Sequence, residues 1–245
     1  MESIAHELDL HVRELLVPTA ARWGLSIGER EIGLFVAYGV ELLRWNERVN
    51  LTRITAPRDV VVRHFLDSLA CARAFAAIPS SLADIGTGAG FPGIPLKLVW
   101  PATRLMLSDS VAKKTAFLDH VAAVLDLHET EIVTARAEEL GRDPRHRERY
   151  AGVVARAVAA LNVLAEYTLP LCRVGGRFVA PKGSDGAVEA EQARRAIEQL
   201  GGKVSAIVPV ELPGVELRTL IVVDKQRPTP AGLPRTVGIP AKRPL

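Results

Sequence analysis

Cysteine is scarce in this chain, and the two that it has are far apart. Cys71 and Cys172 are the only cysteines among 245 residues, and they form no C-x-x-C pair. This spacing excludes a disulfide framework and a cysteine-based zinc site, and it suits a reducing compartment. The six histidines show no H-E-x-x-H pattern or other ligand spacing. We therefore expect no bound metal.

Long hydrophobic runs and export signals are also missing. No apolar run reaches the roughly 18 residues that a transmembrane helix needs. Acidic residues at positions 2, 7, 9 and 14 do not fit a secretory signal peptide. We therefore expect a cytoplasmic protein that makes no membrane contact. A net charge of +3 and a pI near 9.0 are compatible with a nucleic-acid partner.

The central part of the chain alternates between two kinds of apolar pattern. Short apolar runs predict strands at 82–85, 104–108, 131–134, 152–155, 176–180, 204–210 and 218–224. Amphipathic stretches between them predict helices at 92–99, 112–125, 160–171 and 186–200. Such alternation is typical of βαβ units in a mainly parallel sheet. The last two predicted strands lack an intervening helix, which predicts an antiparallel hairpin at one edge.

The two ends of the chain differ from this centre. Residues 1–75 predict a helical region packed on the core, with helices at 4–23, at 29–45 and from an N-cap at Thr55 to about residue 75. Residues 76–225 form the predicted core. The tail, 226–245, holds five prolines and four basic residues with no acid, which predicts extended structure that contacts RNA or packs along the sheet. The arginine-rich stretch 142–149 is more typical of a solvated loop than of an RNA contact.

A glycine-rich turn follows the first predicted strand. Residues 84–93 read D-I-G-T-G-A-G-F-P-G and lead into an amphipathic helix. Glycine permits a positive φ and a close approach of ligand to backbone, and the helix N-terminus offers free N–H groups. Two cofactors fit, because 88–93 matches the dinucleotide G-x-G-x-x-G and 84–90 matches the D-x-G-x-G-x-G of S-adenosylmethionine (SAM) methyltransferases. Asp84 favours SAM, since it would repel a pyrophosphate and suits the cationic amino-acid end of SAM.

Charged or glycine residues follow five consecutive predicted strands, where ligands bind in open α/β sheets. Asp109, after the second strand, is placed to accept hydrogen bonds from ribose hydroxyls. Arg156, after the fourth, lies where many amine methyltransferases carry an N/D-P-P-Y/F loop, which this chain lacks. The missing loop disfavours an exocyclic amine as substrate. A purine N7 needs neither that loop nor a general base, because its lone pair is already free.

Several motifs together are similar to the small-subunit ribosomal RNA methyltransferase G family. They are V-N-L-T at 49–52, H-F-L-D-S-L at 64–69, the glycine turn at 84–93, D-S at 109–110, R-A-E at 136–138, R-A at 156–157, P-K-G at 181–183 and P-R at 234–235. The resemblance runs from about residue 30 to the tail. It implies an α/β, Rossmann-like SAM-dependent methyltransferase fold with seven strands. It also implies N7-methylation of one guanine in the 530 loop of bacterial 16S rRNA, with 16S rRNA or the small ribosomal subunit as partner of a monomer.

The resemblance further implies roles for individual residues. The expected cofactor-binding residues are Asp84, Gly86, Gly88, Phe91, Asp109, Ala137, Glu138 and Arg156. Within this set, Asp109 would meet the ribose, Ala137 and Glu138 would flank the adenine, and Arg156 would close the site. The substrate candidates are His64, Asp67, Lys182 and Arg235. No catalytic base is expected, and the helix face with His64 and Asp67 fits either a buried packing face or a wall of the methyl-transfer site.

Two other functions fit parts of the sequence. An NAD-dependent oxidoreductase would use the G-x-G-x-x-G match, although no Tyr-x-x-x-Lys pair or similar hydride-transfer partner is evident. A non-catalytic RNA-binding module with a SAM fold would bind RNA without turnover. A transfer assay with labelled SAM separates these hypotheses from a methyltransferase.

Overall fold

Seven strands form one mixed sheet. They are β1 (Ser81–Ile85), β2 (Arg104–Asp109), β3 (Thr130–Thr134), β4 (Tyr150–Val154), β5 (Cys172–Lys182), β6 (Gly202–Val210) and β7 (Arg218–Lys225). The computed structural model describes residues 2–245. The strand order is β3-β2-β1-β4-β5-β7-β6. Strands β1 to β5 pair in parallel, whereas β7 pairs antiparallel with both β5 and β6. The predicted fold class is thereby confirmed, with β7 lying between β5 and the edge strand β6.

Helices precede the sheet and connect its strands. The N-terminal ones are α1 (consecutive segments Glu2–His11, Val12–Leu16 and Val17–Arg22), α2 (Glu29–Asn46) and α3 (Pro57–Asp59, Val60–Leu66, Asp67–Leu69 and Ala70–Ala74). The others are α4 (Gly93–Val99), α5 (Ala112–Val124), α6 (Ala137–Leu140), α7 (Leu161–Thr168), α8 (Gly186–Gln199) and α9 (Ile239–Lys242). Within residues 2–245, no helix combines the length and apolar character needed to cross a membrane.

Each face of the sheet has its own hydrophobic core. Successive strand side chains point to opposite faces, so Leu82 and Val154 belong to one core while Ala83 and Val153 belong to the other. Helices α1 to α5 cover the first face, and α6, α7 and α8 cover the second. Burial on both sides explains why the parallel strands read as continuous apolar runs. The N-terminal helices therefore share a core with the sheet.

The third helix begins one residue later than the sequence predicts. Ala56, with ψ of 129°, is the residue before the helix, and no side chain caps it. Thr55 is therefore not the N-cap. The reason is Pro57, whose ring disfavours the helical region for the residue that precedes it. Pro57 itself suits the first helical position, where no N–H is needed.

The C-terminal tail lies against the body of the protein. Arg147 donates to the carbonyls of Thr229 (2.8 Å) and Leu233 (2.7 Å), and Arg142 donates to that of Pro234 (2.8 Å). The stretch 142–149 is thus an anchor for the tail rather than only a solvated loop. The tail also contains the short helix α9, so it is not extended throughout. The sequence left contact with RNA and packing on the protein open for the tail, and the structure shows the packing.

Candidate functional site

The turn after β1 is built from glycines in the left-handed region. Gly86, Gly88 and Gly90 have φ values of 65°, 63° and 99°. A Cβ at Gly86 would lie 2.6 Å from Cγ2 of Val158, so a side chain there has no room. A Cβ at Gly88 would meet nothing within 4 Å. The backbone at Gly88 therefore borders open space that a ligand can approach.

Asp84 lies beneath this turn. Its Oδ2 accepts hydrogen bonds from Thr87 Oγ1 (2.6 Å) and from the Gly93 amide (2.7 Å), which joins the two ends of the turn. Burial raises the pKa of Asp84 to about 7, against the opposite effect of these two donors. The carboxylate is fully buried and lies outside the cavity walls. The structure therefore gives Asp84 a role in shaping the loop that was predicted to bind the cofactor.

A cavity of about 380 Å³ opens where β1, β2, β3 and β4 end. Its walls include Gly86, Asp109, Ala137, Glu138, Tyr167 and Ala241. Four of these six are residues that the sequence assigned to the cofactor. The other two, Tyr167 and Ala241, were missed, since Tyr167 is one residue of an apolar helix and Ala241 belongs to the tail. We call this space the cofactor cavity.

Asp109 is held at the cofactor cavity by three donors. Oδ2 lies 3.1 Å from the Gly88 amide and 3.2 Å from Lys114 Nζ, and Oδ1 accepts from the Val111 amide at 3.0 Å. A carboxylate offers about four lone-pair sites, so one remains for a ligand hydroxyl. Fixed at the end of β2, this carboxylate is well placed for a ribose.

Glu138 presents an unpaired oxygen. Its Oε1 accepts from the amide of Gly238 in the tail at 2.9 Å. Its Oε2 is buried and has no hydrogen-bond partner, and Arg136 Nε lies 3.6 Å away. A buried carboxylate oxygen without a donor is unfavourable, so the cavity lacks one donor at this point. An amino group on a ligand base would supply it.

A second cavity, of about 610 Å³, adjoins the first. Ala157, which has a φ of 56°, lines both. The walls of the second cavity carry the cationic side chains Arg53, Arg63, Arg156, Lys182 and Arg218 together with the polar side chains Thr52, His64 and Asp67. Five cations against one carboxylate favour an anionic ligand. We call this space the basic cavity, and it contains three of the four substrate candidates.

Arg156 connects the polar side chains of the basic cavity. Its Nη1 donates to Asp67 Oδ2 at 2.7 Å and to the Arg63 carbonyl at 3.1 Å. Its Nη2 lies 3.2 Å from His64 Nδ1. His64 Nε2 in turn lies 2.8 Å from Thr52 Oγ1. The four side chains form one hydrogen-bonded chain across the wall of the cavity.

The electrostatics of this chain keep His64 neutral. Burial and the adjacent Arg156 charge lower the pKa of His64 to about 3. Arginine can only donate, so Nδ1 must be the accepting nitrogen. The remaining proton of the neutral ring is then on Nε2 and points to Thr52. His64 is therefore a fixed neutral donor in this geometry.

Comparison with known proteins agrees with this arrangement. The family model described as rRNA small subunit methyltransferase G matches residues 31–217. The chain belongs to this family. It is 59% identical over 230 residues to the ribosomal RNA small subunit methyltransferase G of Roseiflexus castenholzii, covering 94% of this chain and 98% of the relative.

Solved structures confirm the fold at low sequence identity. Cofactor-bound Rv0187 from MTB superposes with a TM-score of 0.56 and 17% identity, covering 78% of this chain and 90% of that one. M. jannaschii TYW2 in complex with AdoMet gives 0.51 at 13% identity, covering 65% and 74%. Membership in a methyltransferase family decides between the two cofactors that the glycine motif left open, in favour of SAM.

The residues of the cofactor cavity fit SAM by their chemistry. SAM carries ribose hydroxyls and an adenine amino group, all of which can donate. Asp109 has a remaining acceptor site, and Glu138 Oε2 has no donor. Gly88 leaves open space beside its backbone. Acceptors and space are therefore present where a nucleoside needs them.

Four of the eight expected cofactor residues do not line the cofactor cavity: Asp84 and Gly88 belong to the glycine turn, and Phe91 and Arg156 lie against His64. The Phe91 ring stacks on the His64 ring at 4.4 Å between centroids and lies under the Arg156 guanidinium at 5.1 Å. Phe91 also packs on Tyr38 and Phe65, so its ring supports the polar chain from below. The Arg156 side chain lines the basic cavity rather than the cofactor cavity. A contact of either Phe91 or Arg156 with the cofactor stays a prediction.

The four substrate candidates divide in a similar way. His64 and Asp67 lie together on α3, and Lys182 joins them from the end of β5, held by Glu189 Oε2 at 2.7 Å and the Ala159 carbonyl at 3.0 Å. Arg235 does not join them. It forms a bidentate pair with the fully buried Glu166, with bonds of 2.9 and 2.6 Å. This pair occupies Nε and Nη2 of the guanidinium, so Arg235 anchors the tail, and its contact with the substrate stays a prediction.

Proposed function

We propose that this chain transfers the methyl group of SAM to N7 of one guanine in the 530 loop of bacterial 16S rRNA. The observation that carries the proposal is the meeting of two cavities at Ala157, one with acceptors for a nucleoside and one lined by cations. The printed name of the Roseiflexus relative supports rRNA as the substrate. The resemblance at residues 64–69 and 84–93 supports the 530 loop.

The basic cavity supports N7 as the acceptor atom. The carboxylate of Asp67 accepts from Arg156, and the accepting nitrogen of His64 is also occupied by Arg156. Neither group is free to remove a proton from a substrate. An exocyclic amine must lose a proton during methylation, whereas guanine N7 has none to lose. A site whose potential bases are engaged suits N7.

The chain's own part in the reaction is to bind and align. When bound, SAM supplies an electrophilic methyl group with a neutral sulfide as leaving group. Asp109 and Glu138 hold the nucleoside, and the basic cavity holds the guanine with its lone pair directed past Ala157. Alignment of this kind converts a bimolecular displacement into an effectively unimolecular step. The guanine must leave its stack to enter the cavity.

The cations at the rim of the basic cavity are suited to RNA phosphates. Arg53 is exposed, and Arg218 and Lys182 are partly accessible beside it. We expect these three side chains to contact the RNA backbone on either side of the guanine.

Exposed large apolar side chains, such as Leu10, Ile78 and Val188, belong to different parts of the chain. We therefore propose a monomer that acts in the cytoplasm on the small ribosomal subunit.

Methyl transfer with labelled SAM tests this function. The purified protein is incubated with small ribosomal subunits from a strain lacking the corresponding gene, and the rRNA is digested to nucleosides. We expect label in 7-methylguanosine alone. Label in another nucleoside would contradict the N7 assignment. Bound SAM and bound RNA without transferred label would favour the non-catalytic RNA-binding module.

A further inference from the structure

Thr52 has a fixed position on the wall of the basic cavity. It lies in the loop between α2 and α3, where Asn46 Oδ1 accepts from the amides of Leu51 and Thr52, both at 2.9 Å. These bonds fasten the loop to the end of α2. The half-buried Thr52 side chain lines the basic cavity beside His64. Its hydroxyl is a neutral donor on a wall otherwise rich in cations.

Both acceptor sites of the Thr52 hydroxyl are occupied. The Ile54 amide donates to Oγ1 at 3.0 Å. His64 Nε2 lies 2.8 Å from the same oxygen, and this nitrogen carries the ring proton because Arg156 occupies Nδ1. A hydroxyl has two lone pairs and one proton. With both lone pairs filled, Thr52 can act toward a ligand only as a donor.

The donor role of this hydroxyl is determined by the hydrogen-bonded chain that runs from Asp67 through Arg156 and His64 to Thr52. Asp67 holds Arg156 at 2.7 Å, and Arg156 forces the accepting role on His64 Nδ1. The Phe91 ring, stacked on His64 with 4.4 Å between the ring centroids, holds the orientation of the imidazole plane. Asp67, Arg156 and His64 are positioning residues in this arrangement, because they act on the ligand through Thr52.

We propose that Thr52 distinguishes guanine from adenine by donating a hydrogen bond to O6 of the target base. This inference rests on the proposed function. Guanine presents O6 next to N7 as a second acceptor, whereas adenine presents an amino donor at that position. A hydroxyl that can only donate satisfies O6 and faces another donor in adenine. N7 itself stays free to receive the methyl group.

The other donors of the basic cavity are less suited to this task. Lys182 is engaged by Glu189, and Arg63 lies 3.3 Å from Asp59. Arg53 and Arg218 are long cations that suit phosphates and would accept a range of geometries. Thr52 is short, fixed by its loop and limited to one hydrogen-bond polarity. These are the properties of a group that reads a base edge.

The test combines a change in the protein with a change in the RNA. Wild-type protein, Thr52→Val and Thr52→Ser are assayed on rRNA that carries guanosine, 2-aminopurine riboside or adenosine at the target position. 2-Aminopurine retains N7 but lacks O6. Thr55→Val is the matched control, since Thr55 is exposed and lies outside the cavity walls. SAM affinity and thermal unfolding of every variant are measured alongside.

We expect the wild type to lose about 10-fold to 100-fold in kcat/KM on the 2-aminopurine RNA, the range for loss of one base-reading contact. On guanosine RNA, Thr52→Val should lose a similar factor in kcat/KM relative to the wild type. On 2-aminopurine RNA, where O6 is already missing, its kcat/KM should be close to that of the wild type. It should also discriminate less between guanosine and adenosine. Thr52→Ser and Thr55→Val should retain wild-type behaviour, and SAM affinity should be unchanged in all variants.

Two results would overturn the assignment, and they differ from failure of the proposed function. If Thr52→Val lowers kcat/KM by the same factor, relative to the wild type, on guanosine RNA and on 2-aminopurine RNA, its effect does not depend on O6. If Thr52→Val methylates guanosine RNA at the wild-type rate, Thr52 makes no contact that matters. If the wild type itself transfers no methyl group to guanosine RNA, the proposed function fails, and the Thr52 assignment fails with it.

Discussion

At the scale of single residues, the wall of the basic cavity consists of side chains that are each held by defined hydrogen bonds. Arg156 donates to three acceptors on α3, the Asp67 carboxylate, the His64 ring and the Arg63 carbonyl, which leaves little of its guanidinium for a ligand. Its replacement by lysine would not preserve the bridge, because a single ammonium cannot span Asp67 and His64 with the same geometry. The buried polar chain therefore acts as a fixed wall beside the base.

The charge state of His64 is one consequence that can be measured. Its pKa of about 3 lies below the ordinary value of about 6.5. NMR of the ring nitrogens should show a neutral ring protonated at Nε2 throughout about pH 5 to 8. His64→Asn assigns the signal. A midpoint near the ordinary value, or a proton on Nδ1, would contradict the chain of hydrogen bonds described here.

The same shift affects stability in a defined direction. Between about pH 6.5 and the folded pKa of about 3, the unfolded chain binds a proton at this position and the folded chain does not. The contribution of His64 is therefore fully present above about pH 6.5. It is lost progressively as the pH falls through that window. His64→Asn should remove this part of the acid dependence of unfolding.

The open space beside Gly88 predicts that a side chain at this position affects SAM binding more than folding. Gly88→Ala should keep the fold at a cost of about 1–2 kcal/mol for an L-residue in the left-handed region. Its methyl group should lower SAM affinity by obstructing the ligand. Gly24→Ala is the matched control, because Gly24 has a φ of 76°, equally open space and an exposed position in the turn after α1.

Calorimetric titration and denaturant unfolding of both variants check this expectation. Similar losses of stability are expected for the two changes, with a loss of SAM affinity in Gly88→Ala alone. Wild-type affinity in Gly88→Ala would show that SAM does not approach this part of the turn.

At the scale of elements, helix α3 and the tail each complete one cavity. The spacing of His64 and Asp67 puts both on one face of α3, and that face is at once buried and a wall of the basic cavity. The structure thus shows the buried face, and its role as a wall of the methyl-transfer site stays a prediction. The tail closes the other cavity, since Gly238 donates to Glu138 and Ala241 lines the wall.

Removal of residues 237–245 tests the part played by the tail. This deletion removes Gly238 and Ala241 but keeps the pair between Arg235 and Glu166, so the fold should persist. SAM affinity should fall about tenfold, as expected when a buried carboxylate loses a hydrogen-bond donor. Calorimetric titration measures the change.

A variant with intact backbone separates this effect from an electrostatic one. Lys242→Ala combined with Arg243→Ala removes the basic charges and leaves Gly238 in place, so SAM affinity should be unchanged. Unchanged SAM affinity in the deletion, together with a weaker salt dependence of RNA binding, would mean that the tail serves RNA instead.

Local patterns predicted much of what these elements do. The glycine turn and the acids at strand ends follow from short stretches of sequence, because a parallel sheet brings its carboxyl ends to one edge. Long-range pairs could not be predicted in this way. Glu166 lies 69 residues from Arg235, and Glu138 lies 100 residues from Gly238. No periodicity indicates such a pair, so the sequence does not predict the pairing of Arg235 with Glu166 or the position of Ala241 at the cofactor cavity.

At the scale of the whole molecule, the arrangement joins two half-sites on one edge of the sheet. The order β3-β2-β1-β4-β5-β7-β6 places the ends of β1, β2 and β3 at the cofactor cavity and the end of β5 at the basic cavity, with the end of β4 at both. Ala157, three residues after the end of β4, lines both. In the proposed function the methyl group and the base meet at this boundary, so the sheet topology would determine where transfer takes place.

The most direct test of the central claim is to map the methylated position in rRNA. Small ribosomal subunits from a strain lacking the gene are treated with purified protein and SAM, and the rRNA is then cleaved chemically at 7-methylguanosine and read by primer extension. A single new stop at one guanine of the 530 loop is the expected result, absent without SAM. No stop, stops at many guanines, or a single stop outside that loop would contradict the account.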